Sequence, residues 1–225
     1  IYSSRVLALL SVWRIKLVLV HVFRPQVDEQ LRSKCHASRY SQGLRITDAI
    51  ALDSAQEAAG QLRFEIEAAF SQGLPNTPMA NAIVRVVSGN FLTAQPVGIV
   101  DGVDFIHSGV VRKVDAVAIR RAIDIGAMVL LSPFGFSPTG EAFNLTMEDV
   151  ATSTAIALQA DKLLFVTEVP GIHEDLTDAD SPIDTELALA DAVKLLTLLP
   201  PPLFPSDTAF YLRHSVRACQ GGVAR

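Results

Sequence analysis

The sequence predicts an α/β fold built on mainly parallel, doubly covered strands, and three observations carry that expectation. Of the 225 residues, 49% are hydrophobic and mean hydropathy is +0.32, high for a soluble chain but ordinary where strands are buried on both faces. Short apolar runs without alternation stand at Ile15–Val20, Ala127–Leu131 and Leu163–Val166. Amphipathic helical patterns lie between them, which is the order of an α/β unit.

The clearest such unit runs from Gly140 to Ile172 as polar loop, helix, turn, buried strand and loop. Met147, Val150, Ala151, Thr154, Ala155 and Leu158 recur at helical spacing, so one stripe of that helix faces a core. Thr146 is an N-cap candidate with Asp149 three residues on. Glu148 and Asp149 put negative charge on the positive end of the helix.

Composition narrows the function classes. A chain of this length buries a real core, as one domain or as two lobes sharing a sheet. No apolar run approaches the ~20 residues that cross a bilayer. Val6–Val12 is apolar, but it lacks a basic start and a small-residue cleavage site, so a helix leading into a strand is the expectation there. The first residue is Ile1, which reads as an internal fragment. A net charge of −5, with Arg and Lys scattered, argues against nucleic acid. Cys35 and Cys219 give neither a disulfide framework nor metal-ligand spacing, and they fit a reducing cytoplasm.

Taken in order, residues 1–14 read as the end of a helix and Ile15–Val20 as a buried strand. His21-Val22-Phe23-Arg24-Pro25-Gln26 then leads into a helix. Gly43-Leu44-Arg45-Ile46-Thr47 precedes an amphipathic helix to about Phe70, with Thr47 and Asp48 opening it. Arg45 is either a surface arginine beside that cap or a fork for a carboxylate, which a guanidinium can hold bidentately. Gly73–Pro78 is turn material. Val84–Ser88 and Phe91–Ala94 flank Gly89-Asn90, a hairpin signal. Asp101-Gly102 marks a further turn. A helix follows at about Asp115–Ile125, with Gly126 at its C′ position. Residues 173–186 are acidic and turn-rich and read as a solvated loop. A helix to about Leu199 precedes Pro200-Pro201-Pro202.

Several of these stretches resemble the amino-acid kinase family. Its N-acetylglutamate kinases carry Asn-x-Asn-x-Asp before the helix that here follows Asn144-Leu145-Thr146-Met147-Glu148. The wording SPFGFSPTGEAFNLT and ATSTAIALQADKL is nearest to the kinase-like domain of bacterial N-acetylglutamate synthases. The resemblance implies a three-layer αβα sandwich with a mainly parallel central sheet, the amino-acid kinase-like or carbamate kinase-like fold. It also implies one domain over 1–225, with an N-lobe of about 1–125 and a C-lobe of about 126–225.

For function, the resemblance implies a regulatory part of an enzyme that acetylates L-glutamate with acetyl-CoA at the start of arginine biosynthesis. In that branch a separate acetyltransferase domain uses the acetyl-CoA, so the resemblance implies that this chain is the part without that domain, with no cofactor, catalytic residue or metal ligand expected on it. The alternative is an acetylglutamate kinase that phosphorylates N-acetyl-L-glutamate with ATP. Expected partners are L-glutamate, N-acetylglutamate or L-arginine, together with copies of the chain in a homo-oligomer. Nucleic acid and membrane are not expected partners.

Carried over by motif, a vestigial substrate pocket comprises Arg45, Asn144, Glu148, His21 and Arg24. Arg45 would hold an α-carboxylate and Asn144 would bond an amide or carboxyl oxygen. Glu148 is one methylene longer than the family's Asp, which moves its carboxylate by more than ~1 Å. Val22 replaces a glycine of the family loop, and a β-branched residue does not easily take positive φ. Tyr211 stands where the kinases place a late lysine. The family's first strand, with its lysine, would precede Ile1. Phosphoryl transfer depends on charge placement, and each lost cationic contact costs on the order of several kcal/mol of barrier. A working kinase is not expected. Without that first strand, Ile15–Val20 should form an exposed edge that exchanges early or pairs with another chain.

Overall fold

The computed structural model describes residues 14–71, 84–168, 171–175, 180–198 and 207–223. The expected N-terminal helix, the Gly73–Pro78 turn and the proline run lie outside these residues. In chain order the first elements are β1 (Val18–Val20), α1 (Arg24–Ser33), β2 (Arg39–Ser41), β3 (Leu44–Ile46) and α2 (Ala49–Ser71). Then come β4 (Val86–Val87), β5 (Leu92–Pro96), β6 (Ile99–Val100), β7 (Val103–Asp104), β8 (Gly109–Val114), α3 (Ala116–Asp124) and β9 (Met128–Leu131). The rest are β10 (Phe134–Phe136), β11 (Ala142–Asn144), α4 (Met147–Leu158), β12 (Ile172–His173), β13 (Ile183–Asp184), α5 (Leu189–Leu198) and α6 (Asp207–Gln220). Two compact units result, Ile1–Arg39 with Arg45–Val150, and Tyr40–Leu44 with Ala151–Arg225.

In the first unit the apolar run expected at Ala127–Leu131 is the central strand of a parallel sheet. β1 and β4 flank β9, with Val18 opposite Val129 and Val86 opposite Met128. Every residue of β9 is buried, which explains why its sequence shows no alternation. β1 is an edge of this sheet among the described residues. A second sheet has the order β11-β10-β5-β8, in which β10 and β5 are parallel and the outer pairs antiparallel. On it Phe143 is 1% exposed, and a Cβ added at Gly109 would lie 2.7 Å from the Phe143 Cβ. A side chain at 109 would not fit.

Helix signals explain the rest of this unit. Pro25 opens α1, where its missing N–H costs nothing, and Val27 and Leu31 lie one turn apart on its buried face. That face meets Ala51, Ala55, Ala58 and Ala59 of α2, whose small side chains permit close approach. The Asp115 carboxylate accepts from the Ala118 N–H at the start of α3. Gly126, at φ +82°, ends it as expected. Asp101 and Gly102, both at positive φ, form the expected turn between β6 and β7.

In the second unit α5 and α6 pack through Ala192, Leu212 and Val216. Ala155 of α4 meets Ala218, Val223 and half-buried Leu163. Part of the expected acidic loop is a small antiparallel ribbon of β12 and β13. Among the described residues no helix is long and apolar enough to cross a membrane.

Three sequence expectations are corrected. Val84–Ser88 and Phe91–Ala94 do not form a hairpin, because β4 joins β9 whereas β5 joins β8 and β10. Leu163–Val166 is not a strand and joins no ladder among the described residues. Leu164 and Val166 are 78% and 90% exposed, while Leu163 and Phe165 are half-buried, so only one face of this segment is covered. The cap of α2 is Asp48, which accepts from the Ala51 N–H at 3.0 Å, not Thr47. Thr47 is turned into the core.

Candidate functional site

Thr47 is fully buried just past the end of β3, and a polar hub is built around it. The residue before Ser108 zips the backbone together: the His107 N–H donates to the Thr47 carbonyl and the His107 carbonyl accepts from the Asn144 N–H. Ser108 Oγ lies 2.5 Å from the Arg45 carbonyl oxygen and 2.8 Å from Thr47 Oγ1. The Asn144 Nδ2 donates to Thr47 Oγ1 at 3.1 Å.

The proton directions in this hub follow from valence. A carbonyl only accepts, so the single Ser108 hydroxyl proton points at Arg45. The Thr47 hydroxyl proton must then serve the contact with Ser108. Thr47 Oγ1 is left to accept, and what faces it on Asn144 must be nitrogen. The amide of Asn144 is therefore oriented by the network, with one N–H consumed inside the protein.

Arg45 itself is anchored. Its side chain is 7% exposed, and Nη1 donates to Asp28 Oδ1 of α1 and to Ser38 Oγ, both at 2.9 Å. Ser38 in turn donates to the same Asp28 oxygen. Thus the guanidinium expected to meet a ligand carboxylate meets one supplied by the chain.

Glu148 and Asp149 are both buried in the first turn of α4. The Asp149 N–H donates to Thr146 Oγ1, which confirms the expected cap. The Asp149 carboxylate also accepts from the Val111 N–H at 2.7 Å, tying the helix start to β8. His21 is held elsewhere, with Nε2 2.7 Å from Ser132 Oγ. Arg24 is exposed at the start of α1. Neither Val22 nor Phe23 has positive φ, in keeping with a β-branched residue at the glycine position.

Of the five residues expected in a pocket, the hub joins Arg45 and Asn144. Sequence reasoning missed Asp28, Ser38 and Ser108, and it placed Thr47 in a different role. Opposite charge at positions 28 and 45 was visible in the sequence, but their approach depends on how α1 lies. A crevice of about 340 Å³ also opens past the carboxyl ends of β4 and β9, lined by Arg63, Ser88, Asn90, Ser132, Phe134 and Phe136 among others. None of the five expected residues lines it.

Asp48 and His21 are both shifted from their ordinary values. Burial would raise the Asp48 carboxyl, but donation from the Ala51 N–H, His36 and Arg39 outweighs it and leaves its pKa below the ordinary 3.8. Burial lowers the pKa of His21 below the ordinary 6.5, and a backbone contact at Val22 only partly opposes this. A base with a depressed folded pKa binds fewer protons folded than unfolded. His21 therefore leaves stability intact above about pH 6.5 and erodes it as the pH falls toward its folded pKa. Urea midpoints should decline below about pH 6.5, and His21→Gln should flatten that part of the profile. An unchanged slope in the variant would assign the effect to another group.

The parallel sheet, its alternating helices and the loops they position define an α/β protein with the amino-acid kinase fold. Residues 3–195 match the model of the amino acid kinase family, and the chain belongs to that family. It is 54% identical over 219 residues to an amino-acid acetyltransferase of Ralstonia nicotianae, covering 97% of this chain and 47% of that protein. It is 43% identical to an amino-acid acetyltransferase of Photobacterium profundum, covering 97% and 49%.

Among solved structures, it resembles N-acetylglutamate synthase from Neisseria gonorrhoeae complexed with coenzyme A and L-arginine. Identity is 35%, the TM-score is 0.84, and 98% of this chain and 50% of that one are covered. A carbamate kinase from Giardia lamblia bound to AMP-PNP shares the fold, at 14% identity and TM-score 0.66, covering 96% and 81%. The chain spans about half the length of the curated relatives it matches.

Proposed function

We propose that this chain is the kinase-like regulatory part of an amino-acid acetyltransferase, which acetylates L-glutamate with acetyl-CoA in the first step of arginine biosynthesis. The observation that carries the reading is the 54% identity to an amino-acid acetyltransferase across nearly the whole chain. The acetyl transfer belongs to a further domain, which would account for the half-length match. L-Arginine is the natural candidate for the regulator, since the Neisseria structure binds it. Cytoplasmic location and homo-oligomeric assembly are part of the same reading.

The chemistry of the chain supports regulation over phosphoryl transfer. Tyr211, at the position of the late lysine, lays its ring against Phe165 with centroids 5.4 Å apart and brings no cation. Arg45 is engaged by Asp28. Likeness to a phosphate-transferring enzyme is at the level of fold, with 14% identity.

The test uses two preparations, the whole reading frame and the 225-residue chain. The first should release thiol from acetyl-CoA when L-glutamate is added. The second should release none, and it should give no ADP from ATP and magnesium with N-acetyl-L-glutamate. Glutamate-dependent thiol release by the chain alone would overturn the assignment. So would ADP turnover that disappears in Glu148→Ala.

A further inference from the structure

We propose that the crevice past the carboxyl ends of β4 and β9 is a binding site for a small aromatic carboxylate. The proposal stands on the geometry of the first unit and is independent of the acetyltransferase reading. β4 and β9 are parallel neighbours, and both leave their sheet by a three-residue turn. In one the Phe91 N–H donates to the Gly89 carbonyl at 3.0 Å, and in the other the Phe134 N–H donates to the Ser132 carbonyl at 2.7 Å. The two chains then meet again in the second sheet, with Phe136 of β10 opposite Thr93 of β5. Both turns and one side of α2 line the crevice of about 340 Å³. The carboxyl ends of parallel strands are the usual seat of ligands in open α/β sheets.

Gly60 shows that the chain does not fill this space itself. It lies in the interior of the 23-residue α2 and lines the crevice, and a Cβ built on it would meet nothing within 4 Å. Glycine weakens a helix interior relative to alanine, and no packing among the described residues requires it here.

The lining fixes the ligand class. Arg63 Nε donates to Glu67 Oε1 at 2.8 Å, and Ser88 Oγ lies 3.4 Å from the same oxygen. Glu67 thus steadies the guanidinium by one edge. Among the described residues the Arg63 Nη groups meet no acceptor and the Asn90 side-chain amide makes no hydrogen bond. One guanidinium, part-neutralised by Glu67, suits a monoanion, and its Nη edge can take a carboxylate. The apolar wall is Phe134 and Phe136, edge to face at 5.6 Å, with Phe136 38% exposed. Aromatic pairs favour such geometries, so a ligand ring can extend the set. Small-molecule pockets span roughly 300–1,000 Å³, so this one takes a single ring and not a nucleotide.

Benzoate is the probe, titrated into the 225-residue chain at constant ionic strength. The Gly60 amide, Arg63 Nε–H and Asn90 side-chain amide resonances should shift together and saturate, with Kd on the order of 1–10 mM for so small a ligand. Acetate lacks the ring and benzyl alcohol lacks the charge, and each should bind roughly tenfold more weakly. Gly60→Leu should fill the crevice and abolish the benzoate shifts. Gly60→Ala should raise the melting temperature by about 2–4 °C. Arg63→Gln should weaken benzoate and leave benzyl alcohol unchanged. The proposal is overturned by the absence of saturation, by an equal response to acetate, or by undiminished binding in Gly60→Leu. Should that variant fail to fold, wild-type benzoate affinity in Arg63→Gln refutes the site. Because the readouts are resonances and melting temperatures of this chain, failure leaves the acetyltransferase assignment untouched.

Discussion

Thr47→Val is expected to destabilise the first unit by about 2–4 kcal/mol. Valine matches threonine in shape and fills the same fully buried space, so packing is preserved and only the hydroxyl is lost. Two buried partners lose their contact at once, the Asn144 Nδ2 and the Ser108 Oγ. An unsatisfied buried polar group costs on the order of 1–3 kcal/mol, offset in part by the better burial of a methyl group. Thr47→Ser keeps the hydroxyl and removes one methyl, so it should cost only about 1 kcal/mol. Urea unfolding at neutral pH checks both. A valine variant as stable as the serine variant would mean that the hub contributes no net stability.

Phe143→Ala should have an effect of about 3–5 kcal/mol, toward the upper end. Phe143 pairs with Gly135 on β10 and lies against Gly109 on β8, so glycine backbone flanks it on two strands. The cost of a cavity depends on how far the surroundings can collapse, and hydrogen-bonded strands collapse little. Phe143→Leu fills most of the space and should cost about 1–1.5 kcal/mol. Gly109→Ala should not be rescued by Phe143→Ala, because the added Cβ would meet the Phe143 Cβ and the Gln95 carbonyl, which both remain. A loss below 1 kcal/mol for Phe143→Ala would show that the sheet closes around the gap.

The sequence made the α/β class, β9, α3 with its Asp115 and Gly126 ends, and α4 with its Thr146 cap legible, since each rests on a local signal. The failures arise where a distant partner outweighs a local one. Gly89-Asn90 has hairpin chemistry, yet β4 is drawn into the parallel sheet and β5 into the other. Leu163–Val166 has the composition of a doubly covered strand but is covered on one face only.

The site was half legible. The fork of Arg45 and the amide of Asn144 follow from residue chemistry and family resemblance. That Asp28 reaches Arg45 first, and that Ser108 sets the direction of every proton around Thr47, depends on how α1 lies and how the 105–108 loop runs. No periodicity reports either. Ile106 in that loop holds φ at +54°, an unusual place for a β-branched side chain, and no local pattern announces it.

The passage of α4 through both units bears on how such a domain can be recombined. The boundary falls between Val150 and Ala151, inside a helix of 12 residues, and the second unit also takes Tyr40–Leu44 from far upstream. Neither unit is a contiguous stretch of gene. A crossover at 150/151 between divergent relatives would join two half-helices selected against different neighbours, each too short to hold helical form alone, where ~12–15 residues are marginal. Chimeras that respect the structure exchange Met147–Leu158 whole and carry Arg39–Ile46 with the residues that follow Ala151.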